Sequence, residues 1–236
     1  MTNKKILQFA AILLLGLAVF GAAKIAKESK KKSLSSFEWN GEPYDISEVN
    51  SLDAKFARPY DKKLSKLGTL VVVLVMGAEL CFVGAVSFFP AKDKKSAVLG
   101  LLFDAFVFVN CWLYGSGVYK LLKTFVGRIR PYMYFPNPKK HGIRSGDFCR
   151  SWPSGHCGRA FIVFGFFFCW FMFRKKDSKI RLPAIIAAFL LSVLVMILRV
   201  ASGNHFVTDT IGGAAVGFLV SGVVFLVCEK VRRQES

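Results

Sequence analysis

Six long apolar stretches, separated by short charged clusters, limit what this chain can fold into more than any other feature. They run over residues 6–23, 67–89, 97–122, 155–173, 182–201 and 206–228. Each has about the length that crosses the hydrocarbon core of a bilayer as an α-helix, roughly 20 residues. None alternates apolar and polar residues as a barrel strand does, and helices satisfy the backbone within the segment. The sequence therefore predicts an all-α, polytopic membrane bundle of about six transmembrane helices.

Composition agrees with this prediction. Of 236 residues, 53% are hydrophobic and 20% are charged, whereas soluble domains carry about 25% charged residues. Lys and Arg number 33 against 15 Asp and Glu, a net charge of +18 that falls mostly between the apolar stretches. Such loops set membrane orientation and contact anionic head groups, so membrane lipids are expected partners. No basic helix or aromatic-interleaved patch stands outside them, and we expect no binding of nucleic acid.

The apolar stretches divide the chain into four parts. These are an N-terminal span at 1–24, an extracytoplasmic segment at 25–66, the main membrane domain at 67–228 and a cytoplasmic tail at 229–236. The first span is either a retained anchor or a cleavable signal peptide, and its length favours the anchor. Within the second part, residues 49–66 predict an interfacial amphipathic helix that Arg58-Pro59 would interrupt.

Short basic loops predict which way the spans run. Clusters around Lys4, Lys94, Lys176 and Lys230 fall on one side of a six-span arrangement, which we assign to the cytoplasm. The opposite side holds more basic residues in total, but its 24–66 segment also carries acids. The prediction is an integral protein of an inner or plasma membrane.

Three polar clusters fall at one membrane surface once the spans alternate. Residues 123–131 follow the third span, residues 153–156 open the fourth, and residues 199–209 join the fifth to the sixth. Six spans could have divided these clusters between both surfaces. Their common position predicts a single site on the extracytoplasmic face.

The residue types in these clusters are typical of a phosphate site. Ser154 and Gly155 open a helix whose free N–H groups attract anions, and Gly155 lets an oxyanion approach the backbone closely. Lys123, Arg130 and Arg199 add three cations, which are costly near lipid unless an anion holds them. No cluster of acids offers a metal site, so we expect no cofactor and assign charge stabilisation to the cations.

Two histidines supply the reactive groups. His205 and Asp209 are four residues apart, so in a helix that Asn204 would cap they share a face, and the carboxylate orients one ring nitrogen. The other nitrogen is then free to attack phosphorus. On the far side of an in-line displacement the leaving oxygen needs a proton, and we assign that role to His156.

Other polar residues in or beside the spans are assigned structural roles. Glu79 and Asp104 lie inside the second and third spans, where we expect protonated or hydrogen-bonded acids that face the bundle. A functional role is the alternative for both. Cys149 and Cys157 flank the mouth of the fourth span, and they could pair in an oxidising compartment, although free thiols are favoured.

The three clusters resemble the motifs of the type-2 phosphatidic acid phosphatase superfamily, which comprises lipid phosphate phosphatases and soluble haloperoxidases. Its pattern is K-x6-R-P, then P-S-G-H, then S-R-x5-H-x3-D. All three parts are present here in order, and the one departure is Leu198, which replaces the serine before Arg199. The resemblance covers the main membrane domain, and the spans exclude the soluble members.

This resemblance implies a metal-independent membrane phosphatase acting on a lipid phosphate. A phosphohistidine would form at His205, oriented by Asp209, and water would release phosphate after His156 has protonated the leaving group. The residues that would bind the phosphoryl oxygens are Lys123, Arg130, Ser154, Gly155 and Arg199. Bacterial members act on phosphatidate, phosphatidylglycerophosphate, undecaprenyl pyrophosphate or lipid A. Transfer of the phospho group to a lipid acceptor, and lipid-phosphate binding without turnover, are the alternatives.

Overall fold

The described part of the chain, residues 2–34 and 39–234 of a computed structural model, contains eight α-helices and no strand. The helices are α1 (Asn3–Ser33), α2 (Ser51–Phe56), α3 (Lys62–Phe88), α4 (Lys94–Val126), α5 (Lys140–Arg144), α6 (Gly155–Arg174), α7 (Arg181–Ala201) and α8 (Val207–Arg233). Six of them, all except α2 and α5, are long and apolar enough to cross a membrane. The predicted all-α fold with six spans is confirmed. Residues 35–38 of the predicted second part and residues 235–236 of the predicted tail lie outside the described residues.

Local capping chemistry sets where several spans begin and end. The Asp61 carboxylate accepts a hydrogen bond from the Leu64 N–H at the start of α3, and Asp93 does the same for Lys95 at the start of α4. α4 ends at Gly127, whose left-handed backbone is typical of a helix C-terminus. These caps extend the helices a few residues beyond the apolar stretches that predict them.

α6 forms the centre of the bundle and contacts α3, α4, α7 and α8. Its backbone approaches α8 closely at Gly217 of α8, where a Cβ atom would lie 2.4 Å from the carbonyl oxygen of Gly158. Small residues of this kind let transmembrane helices pack at short range, where dispersion and hydrogen bonding drive association. The pairing of α6 with α8 holds two helix starts together. The start of α6 carries His156, and the start of α8 closely follows His205.

The N-terminal helix packs along α4. The Tyr114 hydroxyl donates to the carbonyl oxygen of Ile12 at 2.8 Å, and the ring of Phe9 meets Phe103 and Phe106 edge to face. α1 continues past the predicted span to Ser33, so its last turns lie at the same end of the bundle as the end of α4.

The segment 49–66, where Arg58-Pro59 is expected to interrupt an amphipathic helix, is two helical pieces. α2 ends at Phe56, the backbone is extended around Arg58 and Pro59, and α3 starts at Lys62. The residue before a proline avoids the helical region, which accounts for the break. α2 packs against α8, and its Asp53 is fully buried. This short helix therefore supports the start of α8.

The extended stretch after α2 lies against the turn between α7 and α8. Gly203 in that turn has φ +65°, and a Cβ atom there would lie 2.3 Å from the carbonyl oxygen of Pro59. The Asp61 N–H donates to the carbonyl oxygen of Ser202 at 3.2 Å. Only glycine combines this backbone conformation with so close an approach.

The two acids inside the spans have different surroundings. Asp104 accepts hydrogen bonds from Trp170 Nε1 at 2.9 Å and Arg174 Nε at 3.1 Å, at the end of the bundle remote from the three motif clusters. Glu79 is buried in α3, and neither of its carboxyl oxygens has a partner among the described residues. Cys149 and Cys157 are both free thiols in this structure.

Candidate active site

A cavity of about 290 Å³ opens at the end of the bundle where α4 and α7 finish and α6 begins. His156 and His205 both line it, so the two predicted reactive residues face a common space. Six of the eight predicted site residues are in its wall: Lys123, Arg130, Gly155, His156, Arg199 and His205. Ser154 and Asp209 stand behind the wall and are fully buried.

His205 lies in the turn before α8 and not in its first helical turn. Phe206 occupies the cap position, and its N–H donates to Asp209 Oδ2 at 2.8 Å. The expectation that Asn204 caps this helix is wrong, because its side chain bonds to Ser202 instead. A carboxylate three residues into a helix satisfies the N–H of the cap position, and Asp209 takes that role.

Asp209 orients His205 through a contact longer than a hydrogen bond. His205 Nδ1 lies 3.6 Å from Asp209 Oδ2 and has no hydrogen-bond partner in the described ranges. The carboxylate is itself held by the Ser151 hydroxyl, by the Phe206 N–H and by Arg128 Nη1. Asp209 is therefore a fixed negative charge beside the ring, which favours a proton on Nδ1.

The other ring nitrogen of His205 faces a cation. Its Nε2 lies 3.2 Å from Arg130 Nη1, and the same Nη1 donates to the carbonyl oxygen of Asn204 at 2.8 Å. A guanidinium can only donate, so Nε2 of His205 carries the lone pair and Nδ1 carries the proton. Burial and the neighbouring charges of Arg130 and Lys123 hold the pKa of His205 well below its usual range. The geometry thus gives a neutral imidazole with the lone pair of Nε2 turned towards Arg130.

His156 is held from α3. Its Nε2 lies 3.2 Å from Thr69 Oγ1, and that hydroxyl donates to the carbonyl oxygen of Ser65 at 3.0 Å. Because the hydroxyl proton of Thr69 is committed to Ser65, its oxygen is available to accept from an Nε2–H of His156. Thr69 thereby fixes both the orientation of the ring and the position of one proton.

Three buried cations surround the histidines. Lys123 is 7% exposed, Arg130 5% and Arg199 3%. Arg130 pairs with Asp147 at 2.8 Å. The positive charge of Arg130 holds the pKa of the Asp147 carboxyl below its usual range despite burial. Within the part of the chain that the structure describes, Lys123 and Arg199 have no such ion pair, and Arg199 Nε has no partner at all.

These unpaired groups indicate what the cavity binds. A buried cation without a counter-ion is costly, and the cost is removed when an anion enters. The Ser154 hydroxyl is likewise buried without a hydrogen-bond partner beside the start of α6. The site therefore has the donors and charges that a tetrahedral oxyanion would satisfy.

Comparison with known proteins agrees with this geometry. The model of the PAP2 superfamily matches residues 98–233, more than half of the chain. The chain belongs to the PAP2 superfamily. It is therefore an integral membrane phosphatase of the PAP2 type, and the family predicted from the three motif clusters is confirmed.

Two relatives and one solved structure are similar to this PAP2 protein. Phosphatidylglycerophosphatase B of Bacillus subtilis (strain 168) is 31% identical over 156 residues, which are 65% of this chain and 68% of that protein. The probable lipid phosphate phosphatase 4 of Arabidopsis thaliana is 29% identical over 157 residues, 57% of this chain and 48% of that one. The chain thus aligns with about half the length of the plant protein. A crystal structure described as the first transmembrane PAP2-type phosphatidylglycerolphosphate phosphatase, from Bacillus subtilis, covers 99% of this chain and 100% of its own at 24% identity, with a TM-score of 0.48.

Several residues that build the PAP2 site were not predicted from sequence. Arg128 bridges Asp209 and Asp53, Ser151 bonds Asp209, and Thr69 holds His156. Arg128 lies within the 123–131 cluster, two residues before Arg130, and that position is a sequence signal for a place in the site. Asp53 and Thr69 gave no such signal, since their partners lie 75 or more residues away in sequence.

Proposed function

We propose that this PAP2 protein hydrolyses the terminal phosphate of a lipid phosphate through a phosphohistidine at His205. The observation that carries the proposal is the shared cavity, in which His156 and His205 face one space lined by buried, incompletely paired cations. The substrate phosphate is a phosphomonoester or the end group of a diphosphate. Its lipid is anchored in the bilayer beside the cavity, on the extracytoplasmic face.

The first step forms a bond between His205 and phosphorus. His156 enters this step protonated, since the negative charge of the bound phosphate favours its imidazolium form. The lone pair on Nε2 of His205 attacks, the bond from phosphorus to the lipid oxygen breaks, and that oxygen takes the additional proton from His156. The ring of His205 becomes positive as the bond forms, and the adjacent Asp209 carboxylate stabilises it. The alcohol or phosphate end of the lipid then leaves.

The second step returns the enzyme to its starting state. Water attacks the phosphohistidine, and His156, now neutral, accepts its proton. The bond between Nε2 and phosphorus breaks, and inorganic phosphate departs. The same histidine thus acts as acid and then as base, as microscopic reversibility requires.

Charge stabilisation comes from the protein in this proposal. Lys123, Arg130 and Arg199 surround the position where negative charge develops on the equatorial oxygens, and two of them carry forked guanidinium donors. Ser154 and the backbone of Gly155, at the first turn of α6, add donors from the remaining side. We assign no role to a metal ion or other cofactor.

The relatives narrow the substrate class. One is named for phosphatidylglycerophosphate and the other for lipid phosphates in general. Phosphatidylglycerophosphate is therefore the substrate to test first, followed by the other candidates, which are phosphatidate, undecaprenyl pyrophosphate and lipid A-type phosphates. Membrane lipids are the expected partners, and the proposal requires no nucleic acid.

The proposal is tested on the purified full chain in detergent with a chelator present. The variants are His205→Gln, His156→Gln and the matched control His141→Gln, which alters an exposed histidine of α5 outside the cavity. We expect phosphate release from lipid phosphates to fall at least a thousandfold in the first two and to stay unchanged in the control. Base-quenched wild type incubated with terminally labelled substrate should carry label on His205.

The outcomes separate the proposal from its rivals. Wild-type turnover in His205→Gln would refute the nucleophile assignment. A labelled phospholipid product in place of free phosphate would show a transferase. Substrate binding without either product would show a lipid-phosphate binding protein that has no turnover.

A further inference from the structure

The PAP2 cavity holds more positive charge than one phosphate needs. A phosphomonoester carries at most two negative charges, and Lys123, Arg130 and Arg199, less the one charge that Asp147 neutralises, already match them. Five further cations line the same cavity: Lys27, Lys120, Lys139, Arg150 and Arg159. Among the described residues that line the cavity, the one acid is Asp147, which pairs with Arg130.

Two of these additional cations, Lys120 and Arg159, form a second layer. It lies deeper in the bundle than the first layer, which consists of Lys123, Arg130 and Arg199. Lys120 lies three residues before Lys123 on α4, which runs towards the cavity, and Arg159 lies three residues after His156 on α6, which runs away from it. Each is thus about one helical turn, roughly 4.5 Å, deeper in the bundle than its neighbour at the reaction centre. The two side chains lie on different helices and line the same cavity.

The second layer is positioned without being neutralised. Arg159 Nε donates to the Tyr119 hydroxyl at 3.3 Å, and Lys120 Nζ lies 3.9 Å from the centre of the Phe20 ring. Neither cation has an ion pair among the described residues. Arg159 and Lys27 instead lie close enough to Lys120 to repel its charge. Like charges gathered below a membrane surface are costly unless an anion joins them.

The depth of the layer indicates which anion it binds. A lipid anchored in the bilayer has its chains deeper than its head group, so a group bound one turn below the scissile phosphate would lie between that phosphate and the lipid chains. Taking the proposed hydrolysis as given, we infer that the substrate carries a second phosphate at this position, bound by Lys120 and Arg159. The second phosphate is either the inner group of a lipid diphosphate or the phosphodiester of a phosphoglycerol head group. Phosphatidate has neither.

The test compares ratios of kcat/KM in the purified full chain. The substrates are phosphatidate, phosphatidylglycerophosphate and a polyprenyl diphosphate in the same mixed micelles, and the readout is released phosphate. We expect wild type to prefer both two-phosphate lipids by at least tenfold. Lys120→Gln and Arg159→Gln should each reduce that ratio at least fivefold, with Lys120→Arg restoring most of it. The control Lys140→Gln removes an equally charged, exposed residue outside this cavity and should leave the ratio unchanged.

A ratio is independent of how much of a variant folds, so misfolding cannot imitate the expected result. A wild-type ratio near one, or a ratio that Lys120→Gln and Arg159→Gln leave unchanged, would overturn the second phosphate site while leaving hydrolysis at His205 intact. A fall for one two-phosphate lipid alone would support the site and identify which linkage fits. Absence of phosphate release from all three lipids, and from a lipid A-type phosphate assayed beside them, would instead refute the proposed function itself.

Discussion

The guanidinium of Arg128 lies 2.7 Å from the buried carboxylate of Asp209, and its second nitrogen lies 2.8 Å from Asp53 on α2. One cation thereby neutralises two acids that come from opposite ends of the sequence. Thr208 completes the junction, since its N–H and its hydroxyl both donate to Asp53. Asp209, the carboxylate beside His205, is thus fixed by contacts that reach outside the three motif clusters, to Asp53 on α2.

Arg128→Gln should lower both stability and turnover. The change leaves two buried carboxylates without their cation, and breaking such a pair costs about 3 kcal/mol. We expect a melting temperature several degrees lower in detergent and at least a tenfold loss of kcat. Arg144→Gln, which alters an exposed arginine on α5, serves as the control. An unchanged melting temperature in Arg128→Gln would contradict a supporting role.

Thr69 should act on catalysis through the orientation of His156. Thr69→Val is nearly isosteric but removes the oxygen that lies 3.2 Å from His156 Nε2, whereas Thr69→Ser keeps it. We expect kcat to fall about tenfold in the valine variant, the equivalent of about 1.4 kcal/mol, with an altered pH profile. The serine variant should recover most of the rate. Equal losses in both would mean that the methyl packing of Thr69 matters and its hydroxyl does not.

The charge around His205 predicts a pH dependence of activity. Burial and nearby cations lower the pKa of His205, so the neutral nucleophile persists below its ordinary value of about 6.5. Arg130→Gln removes one of those cations and should raise the pKa of His205. The acid limb of kcat/KM is then expected to move to higher pH, in addition to a general loss of rate. A limb that stays in place would show that another group controls it.

The same shift predicts a pH dependence of stability. The unfolded chain protonates His205 near pH 6.5 and the folded protein does not, so the unfolded state binds more protons below that value. Stability should be complete above about pH 6.5 and decline as the pH falls below it. His205→Asn should flatten this decline when melting temperature is followed against pH. A decline of the same slope in the variant would assign it to other groups.

The proposed sidedness predicts which cysteines an impermeant reagent can reach. His141→Cys places a thiol on exposed α5, at the cavity end of the bundle, and Lys95→Cys places one at the opposite end. In intact cells a membrane-impermeant maleimide should label the first variant and leave the second unlabelled until the membrane is opened. The reverse pattern would put the active site in the cytoplasm.

The features that sequence predicts correctly depend either on a local run of residues or on the alternating direction of successive spans. Each span follows from its own run of apolar residues, and alternation alone brings His156 and His205 to one end of the bundle. The cap of α8 was misplaced because Asn204 is a good capping residue by type, whereas in the structure the Asp209 carboxylate binds the Phe206 N–H. Composition does not show which acceptor a side chain will find.

The remaining site contacts depend on distant pairing. Asp53 meets Arg128 and Thr208 across 75 and 155 residues, and Thr69 meets His156 across 87. The segment 49–66 has the periodicity of a membrane-surface helix. No local signal distinguishes such a helix from one that packs against α8, as α2 does. Such contacts become visible only when the helices are assembled.

The close fit of Gly203 against Pro59 has a consequence for exchanging parts between relatives. The family match begins at residue 98, which suggests a transferable module, yet Asp53, Pro59 and Thr69 all precede it. A chimera that takes 98–233 from this protein and its first 97 residues from a homologue would join two halves of one active site that never co-evolved. Grafts in this superfamily should therefore be cut before α2. The transferred piece then contains both the segment from α2 to Pro59 and the turn at Gly203 that this segment contacts.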